Sequence, residues 1–109
     1  RDRGVRPAES GDIASMVIGI LEVKLAIMGS RSLKDKRRVL KSLKDRFLKM
    51  NVSVAEVDDQ DKWQASTIGF AVVSNDAGYI NSVLDRIALA LSEHPEVELI
   101  HQEVEIMHV

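Results

Sequence analysis

The segment from Arg31 to Lys49 carries nine Lys and Arg against two Asp, a local charge of +7 in a chain whose net charge is -2. Within it Lys34, Arg37, Arg38, Lys41 and Lys44 recur at intervals of one to four residues, with Arg31 just ahead of them. On a helix such spacing gathers cations on one broad face at about one-turn separation, and a row of that kind can follow a phosphate backbone. The competing reading is a solvated outer face, since long Lys and Arg stems also cover apolar surface. With only Asp35 and Asp45 to offset the charge, the segment is one-sided enough to make a polyanion, RNA first, a candidate ligand.

Three smaller groups of residues need weighing beside it. Ser30, Arg31 and Ser32 sit after Gly29 where an apolar run gives way to the basic segment, so free backbone N–H groups there could hold a phosphate. A turn followed by an N-cap explains the same residues more simply. Glu56, Asp58, Asp59 and Asp61 offer oxygens to a divalent cation, but the spacing lacks the central Gly and terminal Glu of an EF-hand loop, and turn-forming Asp is the plainer account. His94, His101 and His108 are seven residues apart, which neither clusters them on a strand nor makes a catalytic or zinc motif. Glycine patterns of the Walker and Rossmann types are missing, and the chain has no Cys to act as nucleophile, disulfide partner or metal ligand. No metal, cofactor or catalytic residue is therefore expected.

The elements that position the cations can be read from periodicity. Val17, Leu21, Val23, Leu25 and Ile27 alternate with Glu22 and Lys24, the pattern of a half-buried strand. Ser32 and Asp35 resemble a capping box, so a helix is expected next, with Leu33, Leu40, Leu43, Phe47 and Met50 as its buried stripe and Val39 and Leu48 at the margins. Val52 to Val57 and Trp63 to Ser74 read as a hairpin around the acidic turn, with Ile68, Phe70 and Val72 on one face. Asn75 or Asp76 caps a second helix, in which Ile80, Val83, Leu84, Ile87, Ala88 and Leu91 mark the apolar side. Pro95 ends that helix, and Val97 to Ile106 is a last strand.

The order is β-α-β-β-α-β. Right-handed crossovers then place both helices on one face of a four-stranded antiparallel sheet, an α+β ferredoxin-like sandwich. Residues 16–109 form that single domain, and residues 1–15 read as a disordered tail or a cloning remnant. The uncovered sheet face would carry Ile18, Ile20, Glu22, Lys24, Thr67, Gly69, Ala71 and Val73. Self-association commonly closes such a face, which makes a homodimer the expectation and Ile18 and Ile20 interface candidates. Trp63 is either an anchor for the hairpin or a further interface residue.

Two segments, Arg31-Ser-Leu-Lys-Asp-Lys-Arg-Arg-Val-Leu-Lys41 and Asn51-Val-Ser-Val-Ala-Glu-Val-Asp-Asp-Gln-Asp-Lys-Trp-Gln64, resemble the YlxP-like family of small bacterial proteins. The resemblance extends from about Met16 to the end of the chain, including Gly69 and Val72-Val-Ser-Asn-Asp76. It implies a bacterial source and the ferredoxin-like fold, but no catalytic residue, because the family is a domain of unknown function. Its genes often lie among those for translation initiation and ribosome maturation, which directs attention to ribosomal RNA.

The sequence thus describes a cytoplasmic, non-enzymatic domain that uses Arg31, Lys34, Arg37, Arg38, Lys41 and Lys44 on ribosomal RNA or an assembling ribosomal subunit. The alternative is a protein-interaction or regulatory homodimer with no nucleic-acid ligand. No apolar run is long enough for a membrane span.

Overall fold

The computed structural model describes residues 15–109, so the tail expected over residues 1–15 lies outside the described residues except for Ser15. Six elements follow in the expected order: β1 (Val17–Ile27), α1 (Leu33–Leu48), β2 (Ser53–Asp58), β3 (Ala65–Ser74), α2 (Ala77–Ser92) and β4 (Val97–His108). The strands make one antiparallel sheet in the order β2-β3-β1-β4, the α+β ferredoxin-like arrangement.

The alternation along β1 decides which face is covered. Val17, Leu21, Val23, Leu25 and Ile27 are buried with Ile68, Phe70 and Val72 of β3, while Glu22 and Lys24 face outward. Both helices pack over that apolar side, α1 through Val39, Leu40, Leu43 and Phe47, and α2 through Ile80, Val83, Leu84, Ile87 and Leu91. Phe47 meets Phe70 edge to face with ring centroids 5.3 Å apart, which pins α1 to β3.

Local chemistry starts the helices where the sequence places them. Ser32 Oγ accepts from the Asp35 backbone N–H at 3.0 Å, and Asp35 Oδ2 accepts from the Arg31 N–H at 3.0 Å. Asp76, rather than Asn75, caps α2 by accepting from the N–H groups of Gly78 and Tyr79. Asn51, in the left-handed region at φ 60°, turns the chain from α1 into β2.

Boundaries shift where pairing overrides local pattern. β3 begins at Ala65, leaving Trp63 in the turn with 53% of its surface exposed, too open for a buried anchor. β4 continues to His108 because that residue pairs with Val17 at the far end of β1. Leu33 and Met50, expected in the buried stripe of α1, are only half-buried, and Lys36, not expected there, is buried with it.

At Gly19 the sheet and α2 approach so closely that an added Cβ would collide with the Ile80 side chain and lie 3.2 Å from Val72 and 3.3 Å from Leu84. Gly19→Ala should therefore lower stability by about 1–3 kcal/mol, the usual effect of overpacking. Urea unfolding measures it. An unchanged midpoint would mean that α2 moves away from β1 at no cost.

Candidate nucleic-acid interface

The site is set by one residue of the basic segment that does not point outward. Lys36 is 2% exposed, and its Nζ donates to the Asp59 carbonyl at 2.6 Å and sits 2.8 Å from Glu56 Oε2. Asp59 can present its carbonyl there because its backbone is left-handed, at φ 64°, beside an irregularity in the pairing of β2 with β3. The same carbonyl accepts from the Lys62 N–H at 3.1 Å. Glu56 in turn accepts from the Ser66 hydroxyl at 2.7 Å. A buried ammonium is tolerable only when its charge and its hydrogen bonding are met, and here Glu56 supplies the countercharge while Glu56 and the Asp59 carbonyl take two of its three donors.

The network passes through the sheet edge to the other face. Asp59 Oδ2 accepts from the Thr67 hydroxyl at 2.7 Å and lies 3.8 Å from Lys24 Nζ, while Oδ1 is 3.1 Å from Lys62 Nζ. The Thr67 and Lys62 hydrogen bonds hold the Asp59 carboxyl below the ordinary aspartate range, against the opposing effect of burial, and the charges of Lys62 and Lys24 add to the lowering. Lys62 is raised, chiefly by its bond to Asp59 and that carboxylate's charge. The acidic group expected at the hairpin is therefore divided. Glu56 faces α1, Asp59 ties the hairpin together, and Asp58 borders a shallow cup on the open face with Glu22, Lys24, Thr67, His101 and Glu103.

With Lys36 turned inward, α1 has a fixed rotation, and Arg31, Lys34, Arg37, Arg38 and Lys41 are exposed with Lys44 half-buried. Arg38 pairs with Glu96 at 3.2 Å and Lys41 with Asp45 at 2.9 Å, both at the surface. Among the described residues no ion pair holds Arg31, Lys34, Arg37 or Lys44. Arg37, Lys41 and Lys44 line one side of a groove of about 390 Å³ that has Leu40 on its floor and Glu56 of β2 opposite.

The other candidates are dispersed. Ser30 is buried, with its hydroxyl donating to the Ser32 carbonyl at 3.1 Å and its own carbonyl accepting from Gln64 Nε2 at 2.9 Å. The Arg31 N–H and Ser32 hydroxyl are engaged by Asp35, so the capping carboxylate sits where an anion was considered. His101 pairs with Glu103 at 2.9 Å on the open face, while His94 Nδ1 accepts from the Glu96 N–H at the end of α2. Among the described residues no cluster of three or more His, Asp or Glu could hold a metal. Ile18 and Ile20 are half-buried on the open face, where Ile20 borders an apolar groove with Ala55, Val57, Gly69 and Ala71. No helix among the described residues is long and apolar enough to cross a membrane.

Lys36 is the residue of the candidate site whose inward placement charge counting misses. Its signal lies in the stripe itself, since Lys36 stands four residues before Leu40 and seven before Leu43, on the face that must be buried.

Two outcomes follow from this network. Lys36→Met leaves Glu56, 17% exposed, without its cation, and should cost about 3–5 kcal/mol in urea unfolding, with partial recovery when Glu56→Gln is added. Because Asp59 titrates lower in the native state than in the unfolded chain, its contribution is complete above the unfolded value and disappears as pH falls through the native one. Lys62 acts on the opposite limb: its contribution is complete below the unfolded lysine value and is lost as pH rises through its raised native one. Asp59→Asn keeps a residue tolerant of the left-handed backbone, and should flatten the acid limb of a plot of urea midpoint against pH. An acid limb of unchanged steepness would remove Asp59 from the account.

Residues 18–104 match the family model described as a protein of unknown function (DUF503). The uncharacterized protein YlxP of Bacillus subtilis (strain 168) is 37% identical over 83 residues, which cover 75% of this chain and 90% of that protein. Among solved structures, the de novo designed protein Foldit4 aligns over 88% of this chain and 97% of its own, with a TM-score of 0.47 and 15% identity. The expected resemblance thus extends across the sheet, both helices and the Lys36 network, and the chain belongs to the DUF503 family, the YlxP-like proteins of unknown function.

Proposed function

We propose that this domain is a non-enzymatic RNA-binding module of the cytoplasm that lays the outer face of α1 along a phosphate backbone. The observation that carries the reading is the set of cations on α1 and at its start, Arg31, Lys34 and Arg37 exposed and Lys44 half-buried, which no ion pair holds among the described residues and which the buried Lys36 keeps turned outward. Contacts of this type position a protein on RNA without reading its bases, so affinity depends on salt and little on sequence.

Base stacking on the sheet, the habit of RNA-recognition modules of the same strand order, has no support in this surface. Phe47 and Phe70 are buried, Tyr79 lies on α2, and Trp63 lies in the hairpin turn. Ribosomal RNA, free or in an assembling subunit, is the ligand to which the family's gene neighbourhood points.

The test is co-sedimentation of the full chain with ribosomal subunits across a salt series, beside Lys34→Glu/Arg37→Glu/Lys44→Glu. If about four phosphates are neutralised, the logarithm of affinity falls against the logarithm of salt with a slope near -3. The triple variant should bind at least about ten-fold more weakly while keeping its urea midpoint. Wild-type protein that stays in the supernatant at low salt would end the ribosomal reading.

A further inference from the structure

We infer that the outer edge of β2 is a docking site for an extended segment of a partner protein, in which acidic and apolar residues alternate and which adds to the sheet as a fifth strand. This goes beyond the RNA reading, because it draws on the strand edge and on an apolar surface that phosphate contacts do not use.

β2 ends the strand order β2-β3-β1-β4, so among the described residues its outer backbone groups have no strand partner. An unpaired edge is a template for another strand, and main-chain hydrogen bonds then supply affinity while alternate side chains supply specificity. The two sides of this edge differ. On the helix side, Glu56 points toward α1, and the groove there presents Arg37, Lys41 and Lys44 above Leu40. Glu56 is already matched by Lys36, so the cations dominate the groove's charge. On the open side, Ala55 and Val57 line a groove of about 290 Å³ with Ile20, Gly69 and Ala71. Gly69 matters to its depth, since a Cβ there would press on Val57 at 3.2 Å.

A strand laid along this edge turns successive side chains to opposite faces. Its acidic residues would meet the α1 cations, and its apolar residues would cover Ala55 and Val57. A sequence of the right composition in the wrong order cannot do both.

The two edges differ in charge rather than in regularity. Register shifts interrupt the pairing of both, between Lys24 and Leu25 at β4 and between Glu56 and Asp58 at β2. β4 carries Glu98, Glu103 and Glu105, and an acidic peptide would be repelled there. β2 carries Glu56 and Asp58, but Glu56 is matched by Lys36 and the groove beside it on the helix side is cationic.

The experiment titrates the full chain into a fluorescent peptide of about eight residues alternating Glu with Val, against a scrambled peptide of the same composition. The alternating peptide should bind at least about ten-fold more tightly. Both Ala55→Ser/Val57→Ser and Arg37→Glu/Lys44→Glu should lose that preference, and hydrogen exchange should slow at amides within Ser53–Asp58 of the wild-type chain. Equal affinity for the scrambled peptide, or protection confined to α1, would overturn the proposal in favour of unspecific charge attraction. So would full preference retained in Ala55→Ser/Val57→Ser. A peptide-free chain that sediments as a dimer and becomes monomeric in that variant would overturn it in favour of a second copy as the occupant.

Discussion

The contact between Lys36 Nζ, the Asp59 carbonyl and the Glu56 carboxylate is the constraint on which the useful surfaces depend. A helix with nine cations in its neighbourhood takes its broad orientation from its apolar stripe. Apolar burial through Val39, Leu40, Leu43 and Phe47 narrows the choice. The Lys36 contact completes it, since a buried ammonium without its acceptors is prohibitive and only one rotation supplies both. The hairpin is bound by the same contact: Asp59 must adopt a left-handed backbone to offer its carbonyl, and Thr67 and Lys62 hold its carboxylate once it does. Helix orientation and hairpin geometry are therefore one decision.

That decision separates the charges of the molecule. Cations collect on the outer side of α1, while the open face joins an apolar half near β2 to a mixed, acid-rich half near β4. Because β2 borders the cationic groove and β4 lies at the far edge with β3 and β1 between them, the two edges meet different electrostatic surroundings. A near-neutral total conceals this, since the positive charge is concentrated in one helix and the negative charge is spread over the rest of the chain.

Much of the fold was legible because its pattern is local. The alternation of β1, the α2 stripe and the Ser32 and Asp76 caps each follow from side chains within a few residues of one another. What escaped depends on distant partners. Lys36 looks like one more surface cation until a carbonyl twenty-three residues later is brought against it. The hairpin acids look like a turn or a metal site until Glu56 and Asp59 are seen facing opposite sides of the sheet edge. β4 outlasts its own apolar alternation because β1 offers a partner as far as Val17. Trp63 is large enough to invite burial, yet β3 starts two residues after it and the turn leaves it outside.

The fold also leaves no platform for base stacking on the centre of the open sheet face. In this strand order the central positions β1 and β3 supply the platform on which bases could stack, and their outward residues here are Ile18, Ile20, Glu22, Gly69 and Ala71. None offers a π-face, and Gly69 gives up its side chain altogether so that Val57 can lean across it. The two phenylalanines are committed to each other inside the core. A surface that cannot stack bases can still attract phosphates, and among the described residues the dense array of cations lies on α1. The same geometry leaves the outer edge of β2 without a strand partner beside that array, among the described residues. Charge on the helix and hydrogen-bonding capacity on the edge are therefore adjacent, and a ligand that uses both must be extended and negatively charged.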